Sequence, residues 1–183
     1  MGNLKQMKIL IFVGVGIIVG LALLIGIVAL IGSSLPKTHF ATRSIVLRKS
    51  PQEVYGVARD FENAPRWRAD VKNVEVDARA GGPLRFREDG ANGVVNYELV
   101  KDVPGEMLVT RILDTDLGYS GQWTYTFAEE SGGTRVRIRE DGEVSNVFFR
   151  FMSRYVFGHT ATMDVYLKSL ARHFGEDGSI QSH

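Results

Sequence analysis

The chain opens on an unbroken apolar run and then changes character. From Ile9 to Ile31 the stretch ILIFVGVGIIVGLALLIGIVALI holds no charged or polar side chain. Its 23 residues, at about 1.5 Å each, give roughly 34 Å of helix, enough to cross a hydrocarbon core of about 30 Å. Lys5 and Lys8 precede the run, and Ser33, Ser34, Pro36 and Lys37 end it. The pattern predicts a single transmembrane helix. A cleaved signal peptide is the alternative, with Gly32 and Ser34 as small residues at a cleavage site, but signal h-regions run only about 7–15 residues. The two lysines of the short tail favour an N-terminus inside and a following domain on the extracytoplasmic side. Lys37, Arg43, Arg48 and Lys49 oppose that bias but fall within the domain that follows.

Past the apolar run, His39 to Arg48 reads as a strand. Ser50-Pro51-Gln52-Glu53 then forms a capping box. Ser50 caps the Glu53 amide, Glu53 reaches back, and Pro51 takes the first helical position, where its missing N–H is no loss. A helix from Pro51 to about Arg59 follows, and Pro65 interrupts a second short turn between Phe61 and Trp67. From Val71 the period becomes two. Val74 and Val76, then Leu84 and Phe86, then Val95, Tyr97 and Leu99 each alternate with polar neighbours. Met107 to Asp114 is another apolar strand, and the alternation resumes from Tyr119 to Phe127 and at Val136 and Ile138. Gly81-Gly82-Pro83, Asp89-Gly90, Pro104-Gly105, Ser131-Gly132-Gly133 and Asp141-Gly142 punctuate the runs with turn chemistry. One apolar face and one wet face indicate an antiparallel meander.

The last predicted element is one long helix from about Val147 to Phe174, capped by Ser145 or Asn146. Phe148, Phe151, Met152, Tyr155, His159, Met163, Tyr166, Leu170 and Phe174 recur at helical spacing, so one stripe faces the sheet. Gly158 falls mid-helix, where a kink or a close approach is expected. Three regions result: an N-terminal tail and anchor (1–35), one soluble domain (36–175) and a disordered polar tail (176–183).

Charge and composition narrow the function classes. With 22 basic against 21 acidic residues, net +1, there is no global field for nucleic acid. The absence of cysteine excludes disulfides, thiolate metal sites and Cys nucleophiles. No histidine pair has ligand spacing, so no metal site is expected. His39 is juxtamembrane, His173 is near the helix end and His183 is terminal. No phosphate-binding loop, dinucleotide fingerprint or serine elbow occurs, so no cofactor is expected.

The element order, together with SIVLRKSPQEVYGVARDFENAPRW, GYSGQWTYTF, TRVRIREDGEV and NVFFRFMSRYVFGHTATMDVYLKSL, resembles the START/Bet v 1-like superfamily, also called SRPBCC or polyketide cyclase/dehydrase-like. The likeness covers roughly residues 40–174. It implies an α+β helix-grip fold: an antiparallel curved sheet wrapped around a long C-terminal helix, with an apolar cavity between them. Members of that superfamily bind lipids, sterols, polyketides or plant metabolites, and only some are enzymes.

Within such a cavity, strand phase places Glu88 with Leu84 and Phe86, and Glu140 with Val136 and Ile138, on the inward face. Two inward carboxylates would perturb one another and serve acid–base chemistry. The alternative is that both sit at strand ends, where the phase breaks and water reaches them. His159 lies on the inward helical stripe, either as a partner for one of those carboxylates or as a structural hydrogen-bonder. Glu88, Glu140 and His159 are therefore the candidate catalytic groups. Trp67, Phe86, Tyr97, Trp123, Tyr125, Phe151, Tyr155, His159 and Tyr166 are the candidate ligand contacts, offering apolar area with polar tips. The expected protein is a membrane-anchored binder or carrier of a small hydrophobic ligand, lipid or isoprenoid-like. A cyclase/dehydratase-like enzyme and a non-catalytic interaction domain are the alternatives.

Overall fold

The computed structural model describes residues 2–77, 82–91, 93–158 and 160–182; Gly81 and His159 lie outside them. Helix α1 (Gly2–Ser34) is long and apolar enough to cross a membrane. Its side chains are exposed nearly all round, Leu10 and Phe12 among them, which is how a helix looks when protein does not supply its apolar surroundings. Strand β1 (Thr38–Leu47) and helix α2 (Pro51–Arg59) follow. The capping box at Ser50 is formed in both directions: the Glu53 amide donates to Ser50 Oγ at 3.3 Å and the Ser50 amide to Glu53 Oε2 at 3.0 Å. A single 3-10 turn (Ala64–Arg66) leads into β2 (Val71–Asp77), β3 (Arg85–Gly90), β4 (Gly93–Val103), β5 (Met107–Ile112), β6 (Tyr119–Glu130) and β7 (Gly133–Val144).

These strands form one antiparallel sheet in the order β2-β3-β4-β5-β6-β7-β1, with β7 pairing back onto β1. Register shifts between Val71 and Asn73 and between Leu99 and Lys101 mark bulges, which bend the strands and help curl the sheet. Its concave face meets α4 (Ala161–His173). The main core forms where Ile45 and Leu47 of β1 and Val136 and Ile138 of β7 meet Met163, Leu167 and Leu170 of α4 and Val54 of α2, all fully buried. Arg43 ties α4 to β1 at the rim, donating to Asp164 Oδ1 at 3.0 Å and Thr160 Oγ1 at 2.9 Å. A smaller cluster closes the other edge, where Phe61 stacks on Phe86 (4.2 Å) and Phe86 on Tyr97 (5.1 Å).

The single C-terminal helix expected from Val147 to Phe174 is instead three pieces. Helix α3 (Val147–Met152) passes into a wider π-helical turn (Ser153–Phe157), and the chain then breaks at Gly158, with φ of +73°. Ser153 Oγ donates back to the Phe149 carbonyl at 2.8 Å, a back-bond that bends helices. Gly158 supplies the left-handed conformation that side chains resist. The break resets the helical phase, so the apolar stripe drawn across it does not hold as one line. The tail also differs from expectation: Gln181–Ser182 (β8) pairs with Ser44 and Arg43 at the sheet edge, and Ile180 packs on the core.

Helix α1 does not stand apart from this domain. Its last turns pack against α3, with Gly32 buried; a Cβ there would collide with the Val147 carbonyl. The buried Arg150 guanidinium donates to the Leu35 carbonyl at 3.0 Å and the Ser145 carbonyl at 3.3 Å. The Val144 amide donates to the Lys37 carbonyl at 2.8 Å.

Candidate functional site

Because a single helix cannot fill the concave face, a cavity of about 370 Å3 remains between sheet, α2, α3 and α4. It lies at the small end of the range for sites that hold one drug-sized molecule, about 300–1,000 Å3. Trp67, Phe86, Tyr97, Trp123, Tyr125 and Tyr166 line it. Tyr166 is the hub, with Trp67 edge-on at 5.1 Å, Tyr125 at 5.4 Å and Trp123 edge-on at 6.2 Å. Burial pushes the hydroxyls of Tyr97, Tyr125 and Tyr166 above the ordinary tyrosine range, so they stay protonated and neutral. Trp67 Nε1 is buried and has no hydrogen-bond partner among the described residues. Phe151 and Tyr155, expected among the contacts, lie outside the lining and pack on each other at 5.1 Å. The reset at Gly158 explains the difference, since both precede the break whereas Tyr166 follows it. His159 lies outside the described residues.

Glu88 and Glu140 both line the cavity, but the sheet keeps them apart. Glu88 is on β3 and Glu140 on β7, four strands along, about 19 Å along the sheet at 4.8 Å per strand. Each has its own partners. At one pole the Arg68 guanidinium forms a buried fork: Nη1 donates to Glu88 Oε2 at 2.7 Å and Nη2 to Asp70 Oδ2 at 2.6 Å, with longer bonds to the remaining oxygens. The Arg68 side chain is 10 % exposed. Burial works against its charge, yet the Glu88 and Asp70 carboxylates hold it firmly protonated. Burial pushes the Glu88 carboxyl up, and the Arg68 charge offsets this only in part. Arg68 also sits over the Tyr166 ring at 5.3 Å, a cation–π contact.

At the other pole Glu140 Oε2 accepts from Trp123 Nε1 at 3.0 Å, and Oε1 lies 3.2 Å from His39 Nε2. His39 pairs in register with Gly142 and stands diagonally across from Glu140, within reach of a long side chain. Its ring lies over Gly142, where a Cβ would come within 2.5 Å of His39 Cε1.

Arg68, Asp70 and His39 join the site without having been expected there from the sequence. The signal for His39 was present but needed register: β1 pairs with β7 across about a hundred residues. Arg68 and Asp70, two apart just before β2, give no local sign that they meet β3. With Glu143 at the rim, the cavity's carboxylates outnumber Arg68 and His39. Among the described residues no cluster of three His, Asp or Glu side chains is placed to hold a metal ion.

Residues 38–175 match the family described as polyketide cyclase / dehydrase and lipid transport. Among curated proteins none matches the chain significantly. Solved structures match its fold. A START superfamily protein from Mycobacterium smegmatis is 15% identical, with a TM-score of 0.60 over 74% of this chain and 96% of that one. Norcoclaurine synthase from Thalictrum flavum is 9% identical, with a TM-score of 0.61 over 76% and 88%. The di-domain aromatase/cyclase StfQ of the steffimycin pathway is 14% identical, with a TM-score of 0.59 over 73% of this chain; the match spans about half of StfQ (50%). At these identities the likeness is one of fold.

Proposed function

The chain belongs to the polyketide cyclase/dehydrase and lipid-transport family, and from that premise we propose that it is a membrane-tethered binding protein for one compact, uncharged apolar molecule. The observation that carries this reading is the aromatic cavity closed at each pole by internally partnered charges. An anionic ligand would add negative charge beside Glu88 and Glu140, both largely shielded from water, which is unfavourable unless the ligand is protonated. A neutral molecule loses nothing by comparison. Its polar groups have partners at hand in the tyrosine hydroxyls and the spare lone pairs on Glu140. Helix α1 serves as the anchor, with the domain on the extracytoplasmic side, and keeps the protein where such ligands partition.

One observation favours a second reading, a cyclase/dehydratase-like enzyme. The His39–Glu140 pair at the cavity wall has the geometry of an oriented acid–base couple. Glu140→Gln separates the two. Trp67 and Trp123 line the cavity, so their emission reports occupancy by ligands of equal chain length ending in alcohol, ketone, amine or carboxylate. Carrier function predicts saturable binding of the neutral members, weaker binding of the carboxylate, and affinity kept within about threefold in the variant, under 1 kcal/mol. Turnover that the variant abolishes, with binding intact, would favour the enzyme.

A further inference from the structure

The segment between β7 and α4 has two properties that neither core packing nor ligand binding requires. It abuts the end of α1, and it leaves large apolar side chains uncovered. Gly32 sits directly after the last apolar residue of α1, and its backbone touches the Val147 carbonyl at the start of α3. The same joint is clamped by Arg150 on the Leu35 carbonyl. If α1 spans a bilayer, α3 therefore lies level with the end of the apolar span, at the acyl–headgroup boundary. Phe148 is 52 % exposed, Tyr155 60 % and Val156 57 %, all within this short segment. Arg154 beside them is exposed as well. Apolar and aromatic side chains flanked by a cation are what an element seated in the interface presents.

The same segment forms one wall of the cavity: Phe149, Met152, Ser153 and Gly158 line it, while Phe149 is also exposed on its outer side. We propose that α3 and the π-helical turn form a membrane-seated platform, so that the cavity's mouth opens onto the same bilayer that α1 crosses. The proposal rests on the anchor reading of α1 and adds the route by which an apolar ligand passes between lipid and cavity without crossing water. The opposite end of the domain points away from the bilayer. Strand β7 runs from Val144, beside the anchor, to Gly133, about 37 Å at 3.4 Å per residue.

The lack of native cysteine allows single-cysteine labelling of the full chain. Phe148→Cys, Val156→Cys, Ile25→Cys and Ser131→Cys, each carrying an environment-sensitive fluorophore, are reconstituted in phosphatidylcholine vesicles with a minority of phosphatidylglycerol. Lipids bearing a nitroxide near the headgroup or deep in the acyl chain act as quenchers. The expected result is shallow quenching at positions 148 and 156, deep quenching at 25 and none at 131. Circular dichroism confirms that each variant is folded, and the two platform sites guard against a local effect of either label. Positions 148 and 156 quenched no more than 131, with 25 quenched, would overturn the platform and leave the anchor standing. Concentration-dependent self-quenching at 148 and 156, without lipid quenching, would assign the patch to a second copy of the chain and equally overturn it. Loss of quenching at 25 would remove the anchor and the platform together. Cavity binding of soluble ligands is read separately by tryptophan emission, so failure of the platform is distinct from failure of the carrier reading.

Discussion

Replacing Arg68 by methionine removes the cation of a buried triad and leaves two carboxylates facing each other, Glu88 in the wall of the cavity and Asp70 behind it. Glu88 and Asp70 are 14 % and 11 % exposed, and both bond to the same guanidinium through four donor–acceptor contacts of 2.6–3.3 Å. Breaking a buried ion pair from one side strands an uncompensated charge, with a typical loss of about 3–5 kcal/mol. For a domain of this size about 2–4 °C of Tm follows each kcal/mol, so Arg68→Met should lower Tm by about 6–20 °C at neutral pH. Glu88→Gln should cost about 1 kcal/mol or less, because Arg68 keeps Asp70 and loses a partner whose own burial is unfavourable. The triple change Arg68→Met, Asp70→Asn, Glu88→Gln should recover most of the stability lost by Arg68→Met alone. The assay is reversible denaturation of the full chain in detergent, followed by circular dichroism. Arg68→Met costing under about 1 kcal/mol, or Glu88→Gln costing as much as Arg68→Met, would refute the picture of a buried, mutually dependent triad.

The raised Glu88 carboxyl fixes the sign of a pH effect. A group whose folded pKa lies above its unfolded value contributes stability below the unfolded pKa and loses it as pH rises through the folded one. Glu88→Gln should therefore gain stability relative to the parent as pH rises past the ordinary carboxylate range; a Tm difference that is flat or moves the other way rejects this. Trp67→Phe removes an N–H that has no partner among the described residues, so it should lower Tm by only about 2–4 °C. Its ligand affinity should fall several-fold if the ligand supplies the acceptor, and equal affinity in titration would show that it does not. Two glycines of β7 should differ in kind. Gly142→Ala meets side-chain atoms alone, the His39 ring and Glu140 Oε1, so it should displace His39 from Glu140, visible in the imidazole NMR shifts, at about 1 kcal/mol or less. Gly133→Ala meets the Leu47 backbone carbonyl at a φ of +155° and should cost about 2–3 kcal/mol, with comparable stabilities arguing against this strand geometry.

Local chemistry was legible in the sequence wherever it acted over a few residues. The Ser50–Glu53 box, the strand alternation and the turn residues set α2 and the meander close to where they stand, and strand phase put Phe86, Tyr97, Trp123 and Tyr125 on the face that lines the cavity. Helix α4 and the stripe through Met163, Tyr166 and Leu170 were legible for the same reason. The stripe failed upstream of Gly158, because Phe151 in α3 and Tyr155 in the π-helical turn precede the break there, and the apolar pattern carries no mark of that change. Partners across the sheet were the other blind spot. Glu88 and Glu140 read correctly as inward, but the groups that meet them come from β1 and from the turn before β2, and no spacing along the chain brings Arg68 to Glu88 or His39 to Glu140.

The most direct test of the central claim is native mass spectrometry of the full chain, extracted from membranes in mild detergent, followed by organic extraction and identification of whatever is released. The expected result is one small, uncharged apolar molecule per chain, displaced by neutral members of the ligand series and only weakly by their carboxylate counterparts. A chain that emerges empty and binds no member of the series, or one that carries a stoichiometric organic anion, would contradict it.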